Sequence, residues 1–382
     1  MLSAYLGNAD AFPILKEWDY FNHAGVSPWA PETIQAVNDF NAEFGRVTLQ
    51  KTNWFGLLEG VREELAGFIN AQKHEIAFTR NTGDAISIIA AGIDWKAGDR
   101  VVVASCEYPS NVYPWMDARD RHGVEVISVE EKTDADGIAR VEEDDLIRAC
   151  EHHRTKLLAV SHVQWTSGQR MDLNKLGAYC REKGILFAVD AIQSLGVVPV
   201  DVQAAQIDFL FSGGHKWLMA PPGSGLIYCR QELIERINSP MVGAASVINP
   251  WRWEINFVRS PDALRFETGT PAFASLFGLG AAVKVLKSVG IDVINAQVKS
   301  LGHQFAIGAR AKGYTVITDR SGAVGGAVCF TSPAGNPDEL VKVLREKHKV
   351  ELAARRGRLR FSPHFYNTSE QVDRALAALP AV

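Results

Sequence analysis

The sequence predicts an α/β protein whose main domain has three layers, α/β/α, around a mostly parallel sheet. Between about residue 75 and residue 230, apolar runs of strand length alternate with segments of helical periodicity, a pattern typical of parallel strands joined by crossover helices. Most of the runs are continuous in Val, Ile, Leu, Ala and Phe, as expected of strands covered on both faces. The length of 382 residues suggests two domains.

Seven predicted strands build this sheet. Helical periodicity fills the gaps between them, for example at Thr82–Ile93 and Asp172–Lys183. Pro221-Pro222-Gly223 joins the last two strands without a clear full-length helix, so we expect that pair to be antiparallel. The strands are placed at Glu75–Thr79, Arg100–Ala104, Val124–Val129, Leu157–Val163, Ile185–Asp190, Asp208–Ser212 and Gly225–Cys229.

The C-terminal part predicts a second, smaller α/β domain. Residues 240–265 are rich in Pro, Trp and Asn and predict a loop or an interface segment, and a long helical stretch follows from Ala272 to about Ala311. We expect the large domain to span residues 16–260 and the small domain to combine residues 1–15 with residues 261–382. The remaining elements are strands near Tyr314–Thr318, Ala327–Thr331 and Leu359–Ser362, and helices near Pro337–Lys347 and Ser369–Ala378.

The composition favours a soluble cytoplasmic protein. Hydrophobic residues make up 47% and charged residues 22%, and a net charge of −4 gives no electrostatic case for binding nucleic acid or anionic membranes. The N-terminus shows no secretory signal, and no apolar run approaches the ~20 residues of a membrane span. The five cysteines are widely spaced, which indicates free thiols in a reducing compartment and no metal site.

The run from Phe209 to Trp217 is the most informative segment. An apolar strand ends in Ser212 and two glycines, and His215 and Lys216 follow. Partial burial would lower the pKa of the lysine and make a neutral, nucleophilic amine available. Such lysines form Schiff bases, most commonly with pyridoxal phosphate (PLP). The alternative is a solvated lysine after a buried strand.

A second run, from Gly184 to Ser194, supports the first. It predicts a buried strand that ends in Asp190, with Gln193 three residues later. A carboxylate at the C-terminal end of a parallel strand lies at the crevice where such sheets bind ligands, and PLP needs a carboxylate against its ring nitrogen. Asp190 alone is equally well explained as a helix N-cap. The Lys216 motif that follows 26 residues later favours the cofactor role.

In these motifs the sequence resembles the class V aminotransferase family of fold-type-I PLP enzymes, which contains cysteine desulfurases, kynureninases and isopenicillin N epimerase-like proteins. The resemblance runs from Tyr20 to Thr368 and implies the PLP-transferase fold with pyridoxal 5′-phosphate as cofactor. It also implies that Lys216 is the Schiff-base lysine, that Asp190 pairs with the pyridine nitrogen, and that Gln193 contacts the ring hydroxyl oxygen.

The resemblance assigns further residues to the cofactor. His215 matches a histidine that contacts the phosphate, and either Ser212 or Gly213 takes the place of a phosphate-binding serine. Thr82 and Gly83 lie between a strand and a helix, where free N–H groups and a hydroxyl can hold a phosphate; an ordinary N-cap is the alternative.

One aromatic residue is assigned to the cofactor ring. Tyr108 occupies a position where desulfurase-like relatives have a histidine stacked on the ring, and it can stack through its own π face. It cannot carry protons near neutral pH, because the reference pKa of tyrosine is ~10. A surface tyrosine is the alternative.

Three more residues complete the expected site. Thr270 matches a threonine that reaches the phosphate of the other subunit, which implies a homodimer with a shared active site; an internal helix cap is the alternative. Arg360 matches the arginine that holds the substrate α-carboxylate, a task suited to a planar guanidinium, with Arg358 and Arg356 as neighbours able to assist. His23 is either a substrate-side residue or a packed core residue.

The sequence departs from the desulfurase pattern at two places. Residues 350–358 contain no cysteine where desulfurases carry their nucleophile, and Cys329 lies in a predicted strand. Persulfide chemistry needs a mobile thiolate, so the standard desulfurase route is not expected. Trp165 stands where relatives have an asparagine that assists carboxylate binding. This change suggests a larger or more apolar substrate, or a different binding orientation.

These residues predict a PLP enzyme that labilises bonds at the α-carbon of an amino acid. Transamination and β- or γ-elimination, such as C–S lysis, are ranked equally, and epimerisation comes third, with Lys216 as the expected base in each. A catalytically silent binding protein is disfavoured, because Lys216 and Asp190 are both present. A nucleotide-binding oxidoreductase is disfavoured by the lack of Gly-x-Gly-x-x-Gly after a strand.

Overall fold

The computed structural model describes residues 2–47, 51–250, 255–318, 325–332 and 336–381. Its strands are β1 Asp19–Tyr20, β2 Ile76–Thr79, β3 Arg100–Ala104, β4 Glu125–Val129, β5 Lys132–Thr133, β6 Ala139–Arg140, β7 Thr155–Ser161, β8 Leu186–Asp190, β9 Phe209–Gly213, β10 Gly225–Cys229, β11 Thr315–Val316, β12 Val328–Thr331, β13 Val350–Glu351, β14 Ala353–Arg355 and β15 Arg358–Phe361. Its helices are α1 Leu2–Tyr5, α2 Pro31–Phe44, α3 Trp54–Phe68, α4 Thr82–Gly92, α5 Tyr113–His122, α6 Glu143–Cys150, α7 Leu173–Lys183, α8 Gln231–Ile234, α9 Phe273–Val289, α10 Ile291–Ala311, α11 Pro337–His348 and α12 Ser369–Ala378.

The central sheet has seven strands in the order β2-β10-β9-β8-β7-β3-β4. Strand β10 runs antiparallel to both of its neighbours, β2 and β9. The other neighbouring pairs are all parallel. The predicted mostly parallel α/β fold is therefore confirmed, and so is the antiparallel pair around Pro221-Pro222-Gly223.

Both faces of this sheet are buried. In β3, Val102 packs into one apolar cluster, whereas Val101 and Val103 pack into a second cluster on the opposite face. Helices α3, α7 and α9 contribute to the first cluster, and α4 and α5 contribute to the second. Burial of each such side chain stabilises the fold by about 1.5–3 kcal/mol, which explains why the strand sequences are continuously apolar.

A smaller antiparallel sheet lies in the C-terminal part, in the order β11-β12-β15-β14. Its apolar face packs on α10, α11 and α12 in a separate cluster that includes Phe305, Phe330 and Phe361. Strand β1, which falls in the range predicted for the large domain, pairs in parallel with β13 in the range predicted for the small domain. The predicted domain boundaries stay a prediction.

Two predicted segments differ in the structure. The single helical stretch predicted from Ala272 to Ala311 is two helices, α9 and α10, because Gly290 has a φ of 93° between them and interrupts the helical backbone. In the predicted loop at 240–265, residues 251–254 lie outside the described residues. The flanking parts contain a short 3₁₀ turn at Ala244–Ser246 and a β-bridge between Val247 and Arg259.

Membrane-spanning helices and metal clusters are both absent from the described residues. None of the helices there is long and apolar enough to cross a membrane. Within the same residues, no group of three or more His, Cys, Asp and Glu side chains could hold a metal ion.

The parallel strands determine where functional side chains gather. The carboxyl ends of β3, β7, β8 and β9 meet at one edge of the sheet, since all four strands point the same way. Ser161 at the end of β7 lies directly opposite Asp190 at the end of β8. Lys216 follows the end of β9 by three residues, so the two predicted motifs converge at this edge.

Candidate active site

A cavity of about 330 Å³ lies at this edge of the sheet. Its wall contains eight of the residues singled out in the sequence and also Trp165, which carries the departure from the family pattern. The eight are Thr82, Gly83, Tyr108, Asp190, Gln193, His215, Lys216 and Arg360. Residues that are as far apart in the chain as Thr82 and Arg360 therefore form one site.

Lys216 presents its amine to the cavity from a tight turn. A side chain at Gly214 would place its Cβ 2.3 Å from the Ser224 Oγ, so the turn requires a glycine there. The Lys216 Nζ lies 5.7 Å from the centre of the Tyr108 ring. Burial lowers the pKa of Lys216 below its ordinary value, and the Arg360 charge lowers it further, whereas the Asp190 carboxylate acts in the opposite direction. The amine is thus closer to its neutral, nucleophilic form than an exposed lysine.

Asp190 is the only acidic residue in the cavity wall as the structure describes it. Its side chain is buried, and its Oδ1 accepts a hydrogen bond of 2.9 Å from the backbone N–H of Ile192. Burial raises the pKa of Asp190, and the nearby Glu107 raises it further, while Ile192 and Lys216 lower it. A turn rather than a helix follows it, so the N-cap alternative does not apply.

Gln193 is held in place by two hydrogen bonds. Its Oε1 accepts 2.9 Å from the Trp217 indole N–H, and its Nε2 donates 3.1 Å to the Ala24 carbonyl oxygen. Because Trp217 directly follows Lys216, this contact links the turn that carries the lysine to the segment after Asp190. The amide keeps one N–H for a ligand.

The N-terminus of α4 opens into the cavity and suits a phosphate. Asn81 caps the helix, with its Oδ1 accepting 2.9 Å from the Asp84 N–H. The Thr82 hydroxyl is buried and has no hydrogen-bond partner in the described part of the chain, although a buried hydroxyl normally has one. This orphaned group, beside free helical N–H groups, fits the phosphate of the expected cofactor.

Arg360 is a buried cation without an acidic partner among the described residues. Its side chain is 3% exposed, its Nη1 donates 3.0 Å to the Trp165 carbonyl oxygen, and its Nε has no partner. Burial lowers its pKa to about 10. A guanidinium in this state needs an anion to complete its hydrogen bonds, which supports a carboxylate ligand.

The two neighbouring arginines named with Arg360 face other groups. Arg358 is bound to Glu131 through its Nη2 at 2.6 Å and its Nη1 at 3.2 Å. Arg356 lines a separate cavity together with Glu130, Glu131 and Arg358. The structure therefore does not bring either residue to the Lys216 cavity.

Tyr108 and Trp165 form an aromatic wall beside Arg360. Their ring centres are 5.2 Å apart with the planes at 90°, and Tyr108 is 43% exposed. The indole N–H of Trp165 donates 2.9 Å to the Cys106 carbonyl oxygen, which fixes its ring. Tyr108 thus remains accessible to a ligand, and an apolar ring stands where the family resemblance implies an asparagine.

The structure does not bring three predicted site residues to the cavity wall. His23 is completely buried, and its two ring nitrogens lie 2.7 Å from the Ser362 carbonyl oxygen and 2.7 Å from the Tyr366 hydroxyl. The packing alternative therefore describes it. Ser212 is buried within β9 and donates 3.2 Å to the Gly213 carbonyl oxygen. Thr270 lines a different cavity, next to Glu267 and Pro271.

Sequence reasoning missed two residues. Arg355 lines the Lys216 cavity from the end of β14. Glu107 is buried behind the cavity and accepts hydrogen bonds from the Ser161 N–H at 2.7 Å, the Gln164 Nε2 at 2.7 Å and the Asn111 Nδ2 at 2.9 Å, as well as from the Ser161 hydroxyl. The position of Glu107, an acidic residue shortly after the end of β3, was a sequence signal that could have identified it. Nothing in the sequence around Arg355 indicated that the hairpin would bring it to the cavity.

All five cysteines are buried, and burial raises the pKa of each thiol. Cys106 has its pKa raised above the ordinary range, and Cys329 on β12 has its pKa raised to about 11. The same direction holds for the other three, Cys150, Cys180 and Cys229. None of the five lines the Lys216 cavity.

Comparisons with known proteins show the family of this chain. Residues 19–375 match the family model described as Aminotransferase class-V. A relative from Methanothermobacter thermautotrophicus, named probable cysteine desulfurase, is 31% identical over 94% of this chain and 93% of its own. A Bacillus subtilis protein named uncharacterized aminotransferase YcbU is 28% identical over 97% and 96%. The apo structure of a cysteine desulfurase from Thermococcus onnurineus superposes with a TM-score of 0.87 at 25% identity, over 97% of this chain and 95% of the other.

The charges around Lys216 predict its reactivity in the protein without cofactor. We expect acetic anhydride to label Lys216 at lower pH than the exposed Lys183, because burial lowers the Lys216 pKa. Arg360→Met should shift the labelling midpoint of Lys216 up by roughly one pH unit, and Asp190→Asn should shift it down by a similar amount. Peptide mass spectrometry over a pH series measures both. Shifts in the same direction for the two variants would contradict the arrangement.

Proposed function

Because the chain belongs to the class-V aminotransferase family and its cofactor is pyridoxal 5′-phosphate, we propose that it is a C–S lyase acting on an amino acid with sulfur at the β-carbon. The observation that carries the proposal is one cavity that combines Lys216, Asp190 and the unpaired Arg360 but includes no cysteine thiol. The amine and the carboxylate serve the cofactor, and the arginine serves the substrate.

In this proposal, each of the cavity residues below has one role in binding the cofactor. Bound in the cavity, the cofactor withdraws electrons from the substrate α-carbon. Lys216 provides the amine for its covalent attachment, and Asp190 holds the proton on its ring nitrogen. Thr82, Gly83 and His215 bind the phosphate. Gln193 would contact the ring hydroxyl, Tyr108 would stack on the ring, and either Ser212 or Gly213 would add a phosphate contact.

The chain's own groups also orient the substrate and move its proton. Arg360 binds the α-carboxylate in place of the acidic partner that it lacks in the described structure. Lys216, with a lowered pKa, is the base that takes the α-proton. Burial of both groups strengthens their interactions with the substrate, because little water competes there.

The cysteines favour release of sulfur into solution over transfer to the enzyme. A persulfide needs an accessible thiolate, whereas all five thiols are buried with raised pKa values. Relatives named cysteine desulfurases remove sulfur from cysteine. We propose that this chain breaks the same C–S bond but has no thiol that accepts the sulfur. On L-cysteine the reaction is cysteine plus water giving pyruvate, ammonia and hydrogen sulfide. The C–H bond at Cα and the C–S bond break, sulfur leaves with both electrons, and no oxidant is needed.

Thr270 supports a homodimer with a shared site. It lies in a cavity other than that of Lys216, on a loop exposed to solvent. In the proposed dimer the Thr270 of a second copy contacts the phosphate, as the family resemblance implies. Large exposed apolar side chains on the segment before it, including Ile255, Phe257 and Val258, fit an interface between copies. We place this dimer in the cytoplasm, with a small-molecule amino acid as its substrate.

Attachment of the cofactor to Lys216 is directly measurable. We expect purified protein supplied with PLP to show a visible absorption band that borohydride abolishes, and we expect the reduced cofactor mass on the Lys216 peptide. Lys216→Ala should lose at least about 10³-fold in activity, because it loses both the attachment amine and the base. The same substitution at an exposed lysine, Lys183→Ala, serves as the control and should keep its activity. A cofactor mass on another lysine, or full activity of Lys216→Ala, would refute the assignment.

The products distinguish elimination from the competing reactions. With L-cysteine we expect equal amounts of pyruvate and sulfide without an added keto acid, since elimination needs only water. Cys106→Ala and Cys329→Ala should keep their activity within about twofold when folded, because neither thiol takes part. Keto-acid dependence would indicate transamination, α-hydrogen exchange without product would indicate epimerisation, and loss of sulfide in either cysteine variant would restore the desulfurase route.

Mixed dimers test whether Thr270 acts across the interface. Thr270→Asp should strongly weaken PLP binding, because it sets a carboxylate against the phosphate. When equal amounts of Thr270→Asp and Lys216→Ala chains are unfolded and refolded together, about a quarter of the sites should contain both native residues. Activity should therefore rise to about that fraction. If Thr270 acts within its own chain, the mixture stays inactive.

A further inference from the structure

The Lys216 cavity carries more positive charge than an amino acid substrate with one carboxylate would balance. Its described wall contains three cations, Lys216, Arg355 and Arg360, against the single carboxylate of Asp190. The α-carboxylate of a substrate balances Arg360. Lys216 is used by the cofactor, whose phosphate has its own cradle at the N-terminus of α4. Arg355 is then left without a counter-charge.

The backbone around Arg355 is fixed by a tight hairpin. Arg355 ends β14 and pairs with Arg358 at the start of β15. The two residues between them, Arg356 and Gly357, have φ values of 50° and 76°, as in the turns that best match the twist of a hairpin. Ala353 pairs with Arg360 in the same hairpin, so the ladder fixes Arg355 relative to the arginine that binds the α-carboxylate.

The Arg355 side chain is free to bind an anion. Its Nη1 donates 2.7 Å to the Ala354 carbonyl oxygen, and no acidic side chain in the described part of the chain pairs with it. Its charge acts on the cavity, because it lowers the pKa of both Lys216 and Arg360. Arg355 is an exposed residue at the solvent side of the cavity, whereas Arg360 is buried. By contrast, Arg356 next to it faces a different cavity that contains Glu130 and Glu131.

We propose that Arg355 is a specificity-determining residue that binds a second carboxylate, at the far end of the substrate's β-substituent, while Arg360 binds the α-carboxylate. The proposal rests on the C–S lyase function and names its substrate class: S-substituted cysteines whose substituent ends in a carboxylate. The aromatic wall of Tyr108 and Trp165 lies beside Arg360 and offers an apolar surface for the linking methylene groups.

Matched charged and neutral substrates test this inference. S-carboxymethyl-L-cysteine and its amide, S-carbamoylmethyl-L-cysteine, have nearly the same shape and differ in the terminal charge. We expect the holoenzyme to prefer the acid by roughly fivefold in kcat/KM, the upper range for an exposed charge pair. Arg355→Gln should lower this preference to about one, mainly by raising KM for the acid, and Arg355→Lys should restore part of it. The control Arg356→Gln should keep the preference of the native protein.

A binding measurement separates this inference from the proposed function. The cofactor absorption band, titrated with each compound, gives dissociation constants that should show the same preference without turnover. Equal binding of acid and amide, or an unchanged preference in Arg355→Gln, would overturn the role of Arg355 while leaving the lyase activity in place. If the protein binds PLP and releases sulfide from L-cysteine but neither compound changes its spectrum, this inference fails and the proposed function stands. If L-cysteine is not converted either, both fail.

Discussion

The burial of Lys216 and Asp190 in one cavity is the constraint on which the rest of the site depends. Removing two charges from water costs solvation free energy that their attraction only partly returns. The structure holds them at the ends of β8 and β9, neighbouring parallel strands in the centre of the sheet. The result is an amine with a lowered pKa and a carboxyl group with a raised pKa. In the proposed function, both groups would serve a cofactor that has an electrophilic carbon and a basic ring nitrogen.

A second buried carboxylate maintains this arrangement. Glu107 lies behind Asp190, where burial raises its pKa and hydrogen bonds from Ser161, Gln164 and Asn111 lower it. Its contacts join the segment after β3 to the end of β7, whose Ser161 lies opposite Asp190 in the ladder. Glu107 therefore ties the segment after β3 to the end of β7, the strand next to the one that carries Asp190. Its charge also favours a proton near Asp190, where a ring nitrogen needs one.

The sequence sufficed for features that are local in the chain. Lys216, Asp190, Gln193 and Thr82 each follow a strand at a recognisable turn, and parallel pairing brings such turns to one edge. The sheet was predictable for the same reason, because continuous apolar strands have few alternative arrangements. Features that depend on distant pairing were not predictable. His23 is a core residue because Ser362 and Tyr366 meet it from the far end of the chain, and the break at Gly290 is a backbone conformation that periodicity cannot show.

The hairpin of β14 and β15 lies in the region where the desulfurase pattern places a cysteine, and its conformation therefore bears on the proposed reaction. In this chain that region is a tight two-residue turn, Arg356-Gly357, rather than a loop that could carry a mobile thiol to the substrate. The same turn fixes Arg355 at the solvent side of the cavity and Arg360 in its interior. In the proposed function, these two cations would hold a long substrate at both ends and thereby orient the bonds at its α-carbon. Sulfur released between them would meet no thiol of the described cavity wall and would leave with its substituent.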